Sequence, residues 1–124
     1  MGEYSDSTQT LFEITFQDYF KHDVVSLKLN KTTIFDGELL DSNTSGFANI
    51  KIDLIRKGPH SLTIIYLTER KTIYFSNHVN VTISLNGKLN FYTIWLNKGK
   101  YVELSKKDSD RIYFNQTKSQ SIWD

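Results

Sequence analysis

The chain reads as an all-β protein: a single antiparallel β-sandwich, immunoglobulin-like or jelly-roll-like, of about eight to ten short strands. Three observations predict this. Apolar and polar residues alternate with period two through most of the 124 residues, and helical periodicity is nearly absent. Turn chemistry separates the alternating runs at Asp36-Gly37, Ser42 to Gly46, Lys57-Gly58-Pro59, Thr68 to Arg70 and Lys106 to Asp110. Finally, the stretch from Val79 to Leu104 resolves pair by pair through its two glycine turns.

In chain order, residues 1–9 are polar and acidic without periodicity, and are expected to form a flexible N-terminal tether. The sandwich is expected over 10–115. Strands are predicted at Leu11–Phe16, Val24–Leu29, Thr33–Phe35, Ala48–Ile55, Ser61–Leu67, Lys71–Phe75, Val79–Leu85, Leu89–Leu96, Tyr101–Leu104 and Arg111–Phe114. All are rich in the β-branched and aromatic residues that fit a pleated, half-buried surface. Only Gln17–Lys21 suggests a short helical turn. Residues 116–124 form a polar tail that ends in Ile122-Trp123, a pair suited to docking because a tryptophan buries a large apolar area.

Between Val79 and Leu104, Asn86-Gly87 supplies the two positive-φ residues of a type I′ turn. It pairs Leu85 with Lys88, Ile83 with Asn90, Val81 with Tyr92 and Val79 with Ile94. Asn97-Lys98-Gly99 suits a three-residue hairpin, pairing Ile94 with Val102, Tyr92 with Leu104 and Trp95 with Tyr101. Alternation then sorts one face, Val79, Val81, Ile83, Tyr92, Ile94, Leu96, Val102 and Leu104, toward a core. Asn80, Thr82, Phe91, Thr93, Trp95, Tyr101 and Glu103 fall on the other. A three-residue first loop would instead turn Phe91 and Trp95 inward.

Net charge is +1 and the lysines are scattered, so no global field draws the chain to nucleic acid or an anionic membrane. Cysteine is absent, which excludes disulfides, thiol catalysis and thiolate metal sites. No segment approaches the roughly 20 apolar residues of a spanning helix. No signal peptide is recognised, and Asp6 breaks the myristoylation pattern. The bias toward Ile, Lys, Asn, Phe and Tyr resembles that of proteins from AT-rich bacterial genomes, and the weak lean on compartment is extracytoplasmic.

The segment from Val24 to Tyr66 resembles immunoglobulin-like and prealbumin-like sandwich modules. The likeness rests on the turn Asp41-Ser42-Asn43-Thr44-Ser45-Gly46 before an alternating strand, and on Gly58-Pro59-His60 leading into Leu62, Ile64 and Tyr66. It implies a fold only, since such folds host many functions. The Cys–Trp–Cys pattern of true immunoglobulin domains is missing.

Enzyme chemistry finds no support: there is no phosphate loop, nucleophile elbow or HExxH helix, and His22, His60 and His78 stand apart. No cofactor is expected. Asp36, Asp41, Asp108 and Asp110 offer hard oxygen ligands for calcium, as in C2-like modules, although Lys106, Lys107 and Arg111 beside the Asp-x-Asp oppose a cation. The sharpest candidate is the mixed face of Phe91, Trp95 and Tyr101 with Asn80, Thr82, Thr93 and Glu103. Aromatics in a polar surround suit a protein interface, with a partner or with a second copy. The same groups suit a glycan, with sugar rings stacked on the aromatics and hydroxyls met by Asn, Thr and Glu. The expected function is therefore non-catalytic binding of a protein, with a carbohydrate-binding module and a calcium-dependent module as alternatives.

Overall fold

The computed structural model describes residues 10–17, 19–42 and 50–118. Ten strands form two packed sheets: β1 (Thr10–Phe16), β2 (Asp23–Leu29), β3 (Thr32–Leu40), β4 (Ile50–Gly58), β5 (Ser61–Tyr66), β6 (Glu69–Tyr74), β7 (His78–Leu85), β8 (Lys88–Trp95), β9 (Tyr101–Lys107) and β10 (Arg111–Thr117). A 3-10 turn at Asp108–Asp110 links the last two. The larger sheet runs β10-β9-β1-β4-β5-β6 and the smaller β3-β2-β7-β8. The expected sandwich is thus present. Every pair is antiparallel except β1 with β9, which run parallel.

Period-two alternation builds the core. Phe12, Ile14 and Phe16 of β1, Ile52 and Leu54 of β4, and Leu62 and Ile64 of β5 point inward from the larger sheet. Val25, Leu27 and Leu29 of β2 meet them from the smaller sheet, with Val79, Val81, Ile83 and Leu85 of β7. Burying each such side chain fully contributes roughly 1.5–3 kcal/mol. One end is closed by an aromatic chain in which Phe16 contacts Phe20 and Phe35 edge-on at 5.9 Å, and Phe35 meets Tyr66 at 5.1 Å.

The Asn86-Gly87 turn forms as its chemistry dictates, with φ of 52° and 86°, and β7 and β8 take the two-residue register throughout. The three-residue alternative, with Phe91 and Trp95 inside, is excluded.

The second predicted hairpin does not form. After Trp95 the chain crosses to the other sheet, where β9 inserts between β1 and β10. An antiparallel β9 beside β8 would leave one row of backbone groups unpaired, whereas between β1 and β10 it is paired on both sides. Gly99 is needed for another reason: at φ 128° a Cβ would lie 2.2 Å from the Thr117 carbonyl oxygen. Val102 and Leu104 still face inward, because alternation fixes parity whichever strand is the partner. Leu96, expected inside, sits in the crossing turn at 38% exposure.

Smaller corrections concern turns. Asp36-Gly37 is a bulge within β3, with Gly37 at φ 75° and a shift in the β2–β3 register, rather than a turn between strands. Gln17–Lys21 is not helical among its described residues: Tyr19 is left-handed at φ 74°, and Phe20, its ring buried, donates its N–H to the Ser42 hydroxyl and accepts at its carbonyl from the Ser42 N–H. β10 continues through Gln116 and Thr117, two residues assigned to the tail by sequence. Asn43 to Gly46 of the predicted turn, the tether and Ile122-Trp123 lie outside the described residues.

The side of the sandwich next to β8 is sealed by side chains. Asn90 and Tyr92 point inward from β8 and bond to the backbone of β10 and the residue before it. Asn90 accepts from the Ile112 N–H (3.3 Å) and donates to the Asp110 carbonyl, and the Tyr92 hydroxyl donates to the Ile112 carbonyl. The Tyr92 ring stacks on Phe114 at 4.9 Å. Burial raises the Tyr92 phenol above its usual pKa.

Candidate functional site

The outward face of the smaller sheet is where five of the sequence-predicted site residues meet. Register places Asn80 opposite Thr93, Thr82 opposite Phe91 and His78 opposite Trp95. β2 adds Lys28 beside Thr82 and Ser26 beside Ser84. Three apolar side chains stand at odd positions along β8: Leu89 is 58% exposed, Phe91 67% and Trp95 42%. Successive same-face positions on a strand lie about 6.8 Å apart, so these three, with Thr93 between Phe91 and Trp95, form a strip that spans about 20 Å.

The strip is held firmly. Gln116 donates through Nε2 to the carbonyls of Trp95 and Gly99, each at 2.7 Å, and accepts from the Trp95 N–H at 3.0 Å. The imidazole of His78 lies 5.3 Å from the Trp95 ring. Two hollows open on the strip. One, of about 530 Å³, is lined by Leu89 and Phe91, the hydroxyl residues Ser26, Thr82 and Ser84, and Lys28, Asn30 and Lys31. The other, of about 620 Å³, is lined by Trp95, Leu96, Asn77, Asn97 and Lys98.

Tyr101 and Glu103 are not part of this face. They project from the opposite sheet, where Glu103 lies between Thr15 and Asn115 at 6% exposure and Tyr101 lies under the Lys100 ammonium. Their assignment to the aromatic face followed from the β8–β9 hairpin that does not form. On that opposite face Glu13 pairs with Lys51 at 3.2 Å, and this hydrogen bond raises the Lys51 pKa. Leu89 was legible from its parity with Phe91. Ser26, Lys28, Asn30 and Lys31 were not, because the β2–β7 pairing joins residues more than fifty positions apart and no local pattern encodes it.

The four aspartates do not assemble a metal site. Asp36 accepts from the Ser26 hydroxyl at 2.7 Å, Asp41 from the His22 N–H at 2.7 Å, and Asp110 from Asn86 at 3.0 Å, with Lys106 3.9 Å away. Asp108 lies on the same 3-10 turn as Asp110. Among the described residues no three histidine or acidic side chains gather as metal ligands.

One buried, well-bonded carboxylate is a residue that sequence reasoning passed over. Asp23, 3% exposed, accepts from Asn86 Nδ2 (2.7 Å), Lys106 Nζ (2.9 Å) and the Lys21 N–H (2.8 Å). Burial alone would raise its pKa, but these donors outweigh burial and hold the carboxyl below its usual value. Asn86 also accepts from the Val24 N–H, so one buried acid ties the β7–β8 turn to β2 and β9.

Among the described residues no helix is long and apolar enough to cross a membrane. Comparison with protein-family models, with curated proteins and with solved structures finds no match to this chain.

Proposed function

We propose that the protein is a non-catalytic binding module that engages a protein partner through the outer face of the smaller sheet. One observation carries the reading: Leu89, Phe91 and Trp95 are exposed in a row along one face of β8, interrupted only by Thr93, on a strand tied at Trp95 by Gln116 and flanked by Thr, Ser and Asn. Scattered single apolar residues on a surface need no explanation, whereas an aligned row with a polar rim has the anatomy of an interface. Large aromatics on a rigid backbone bind with little loss of conformational freedom. At the edge of β8, Gln116 takes up the N–H and carbonyl of Trp95, while Asn90 and Tyr92 bond to the backbone of β10.

A glycan platform is the second reading, because Trp95 and Phe91 beside Thr82, Thr93 and Asn80 have the parts for sugar stacking. Two experiments separate them. Random heptapeptides displayed on phage are selected on immobilised protein and retested on Phe91→Ser. Soluble polysaccharides are cast into native gels with wild type and Trp95→Ala. Peptides lost on Phe91→Ser support the protein reading, and retardation lost on Trp95→Ala supports the glycan. If neither set of probes depends on these residues, the face is not a binding site.

A further inference from the structure

We infer that the partner is an acidic, extended polypeptide segment whose apolar side chains, at alternate positions, seat along Leu89, Phe91 and Trp95 between flanking glutamates or aspartates. The inference rests on the protein-binding reading above and adds the chemistry of the occupant.

Charge is the first argument. Lys28 and Lys31 line the hollow at Phe91, and Lys98 lines the hollow at Trp95. Among the described residues no carboxylate lines either hollow, although Asp36 accepts from the Ser26 hydroxyl at the rim of the first. The other hollows differ: one on the opposite sheet combines Lys51 and Lys100 with Glu13 and Asp53, and one at the Asp108–Asp110 turn combines Lys106 and Lys107 with Asp108 and Asp110. Among the described residues no ion pair joins Lys28, Lys31 or Lys98 to a carboxylate. Ammonium groups at both ends of an apolar strip favour an anion that also carries apolar bulk.

Spacing is the second argument. Leu89 and Phe91 lie two residues apart on the strand, about 6.8 Å, and Trp95 follows two such steps further on beyond Thr93, so the apolar positions keep the same-side spacing of an extended peptide. Its 20 Å length accommodates about six residues of such a peptide.

The third argument separates peptide from anionic sugar. A sugar needs a dense array of free hydroxyls and amides, and part of the array here is already used. The Ser26 hydroxyl donates to Asp36 and accepts from the Gly37 N–H, while the Asn30 amide donates to the Tyr74 carbonyl and accepts from the Asn80 N–H. Leu89 offers no flat ring surface, but it seats an aliphatic or aromatic side chain well.

The test analyses the peptides from the same heptapeptide selection and measures their binding by Trp95 fluorescence in a Trp123→Phe background. Enriched sequences are expected to carry Asp or Glu alternating with apolar residues. Binding is expected to fall at least about tenfold in Lys28→Glu/Lys31→Glu, and to weaken as salt rises from about 50 to 300 mM. Lys28 and Lys31 are exposed and form no ion pair among the described residues, so the double variant should fold as wild type, checked by circular dichroism. Peptides without acidic bias that are nevertheless lost on Phe91→Ser overturn this inference and leave the protein-binding reading standing. Peptides indifferent to Phe91→Ser, or no enrichment at all, overturn both.

Discussion

Replacing Asp23 with asparagine tests the physical core of the loop end. The carboxylate is almost wholly buried and accepts three hydrogen bonds, one from the ammonium of Lys106. Hydrogen bonds to a charged group contribute about 1.5–3 kcal/mol each, less than additively, and breaking a buried ion pair costs about 3–5 kcal/mol. The Lys106 side chain is 25% exposed and can rehydrate, which puts the cost near the lower bound, about 3 kcal/mol at neutral pH. Because the folded-state pKa of Asp23 is depressed, its contribution is present above the unfolded value of about 3.9. It is lost as pH falls through the lower folded value. Urea unfolding of wild type and Asp23→Asn at pH 7 should therefore differ by about 3 kcal/mol, and the gap should narrow steadily below about pH 4. A gap under about 0.5 kcal/mol at neutral pH, or one that does not change with acid, would refute the assignment of Asp23 as an ionised tie between loops.

Other positions give equally definite expectations. Gly99→Ala puts a methyl 2.2 Å from the backbone of Thr117 at a φ only glycine adopts readily, so thermal unfolding should show loss of more than about 3 kcal/mol or no folded protein. Tyr92→Phe removes the hydroxyl that bonds to the Ile112 carbonyl, and should cost about 1 kcal/mol in urea while preserving the Phe114 stack. Phe91→Ser should leave the melting temperature within about 2 °C of wild type, because the residue is 67% exposed and lies outside the buried core; a large drop would mean the strip is covered.

Much of this structure was readable from local pattern. Asn86-Gly87 has one good turn geometry, and that geometry fixed the β7–β8 register and the outward direction of Phe91 and Trp95. The inward parity of Val102 and Leu104 was equally legible, since it depends on alternation alone. What local pattern does not carry is the identity of a distant partner. Gly99 suits a hairpin and suits a crossing, and the choice between them is decided by β1 and β10, which offer β9 hydrogen-bonding partners on both sides. That single ambiguity moved Tyr101 and Glu103 to the wrong face. Lys28 and Ser26 escaped for a separate reason: their place beside Thr82 and Ser84 depends on the β2–β7 pairing, between residues far apart in sequence. Asp23 escaped notice because an aspartate at a strand start reads as an ordinary turn residue until its three donors are seen together.

The most direct test of the account is acrylamide quenching of Trp95 fluorescence in a Trp123→Phe background, across a range of protein concentrations. An open face, with the indole 42% exposed beside His78, predicts substantial quenching that does not depend on concentration. Protection of Trp95 at every concentration would mean that the strip is covered, and would contradict the proposal that Leu89, Phe91 and Trp95 form a binding face.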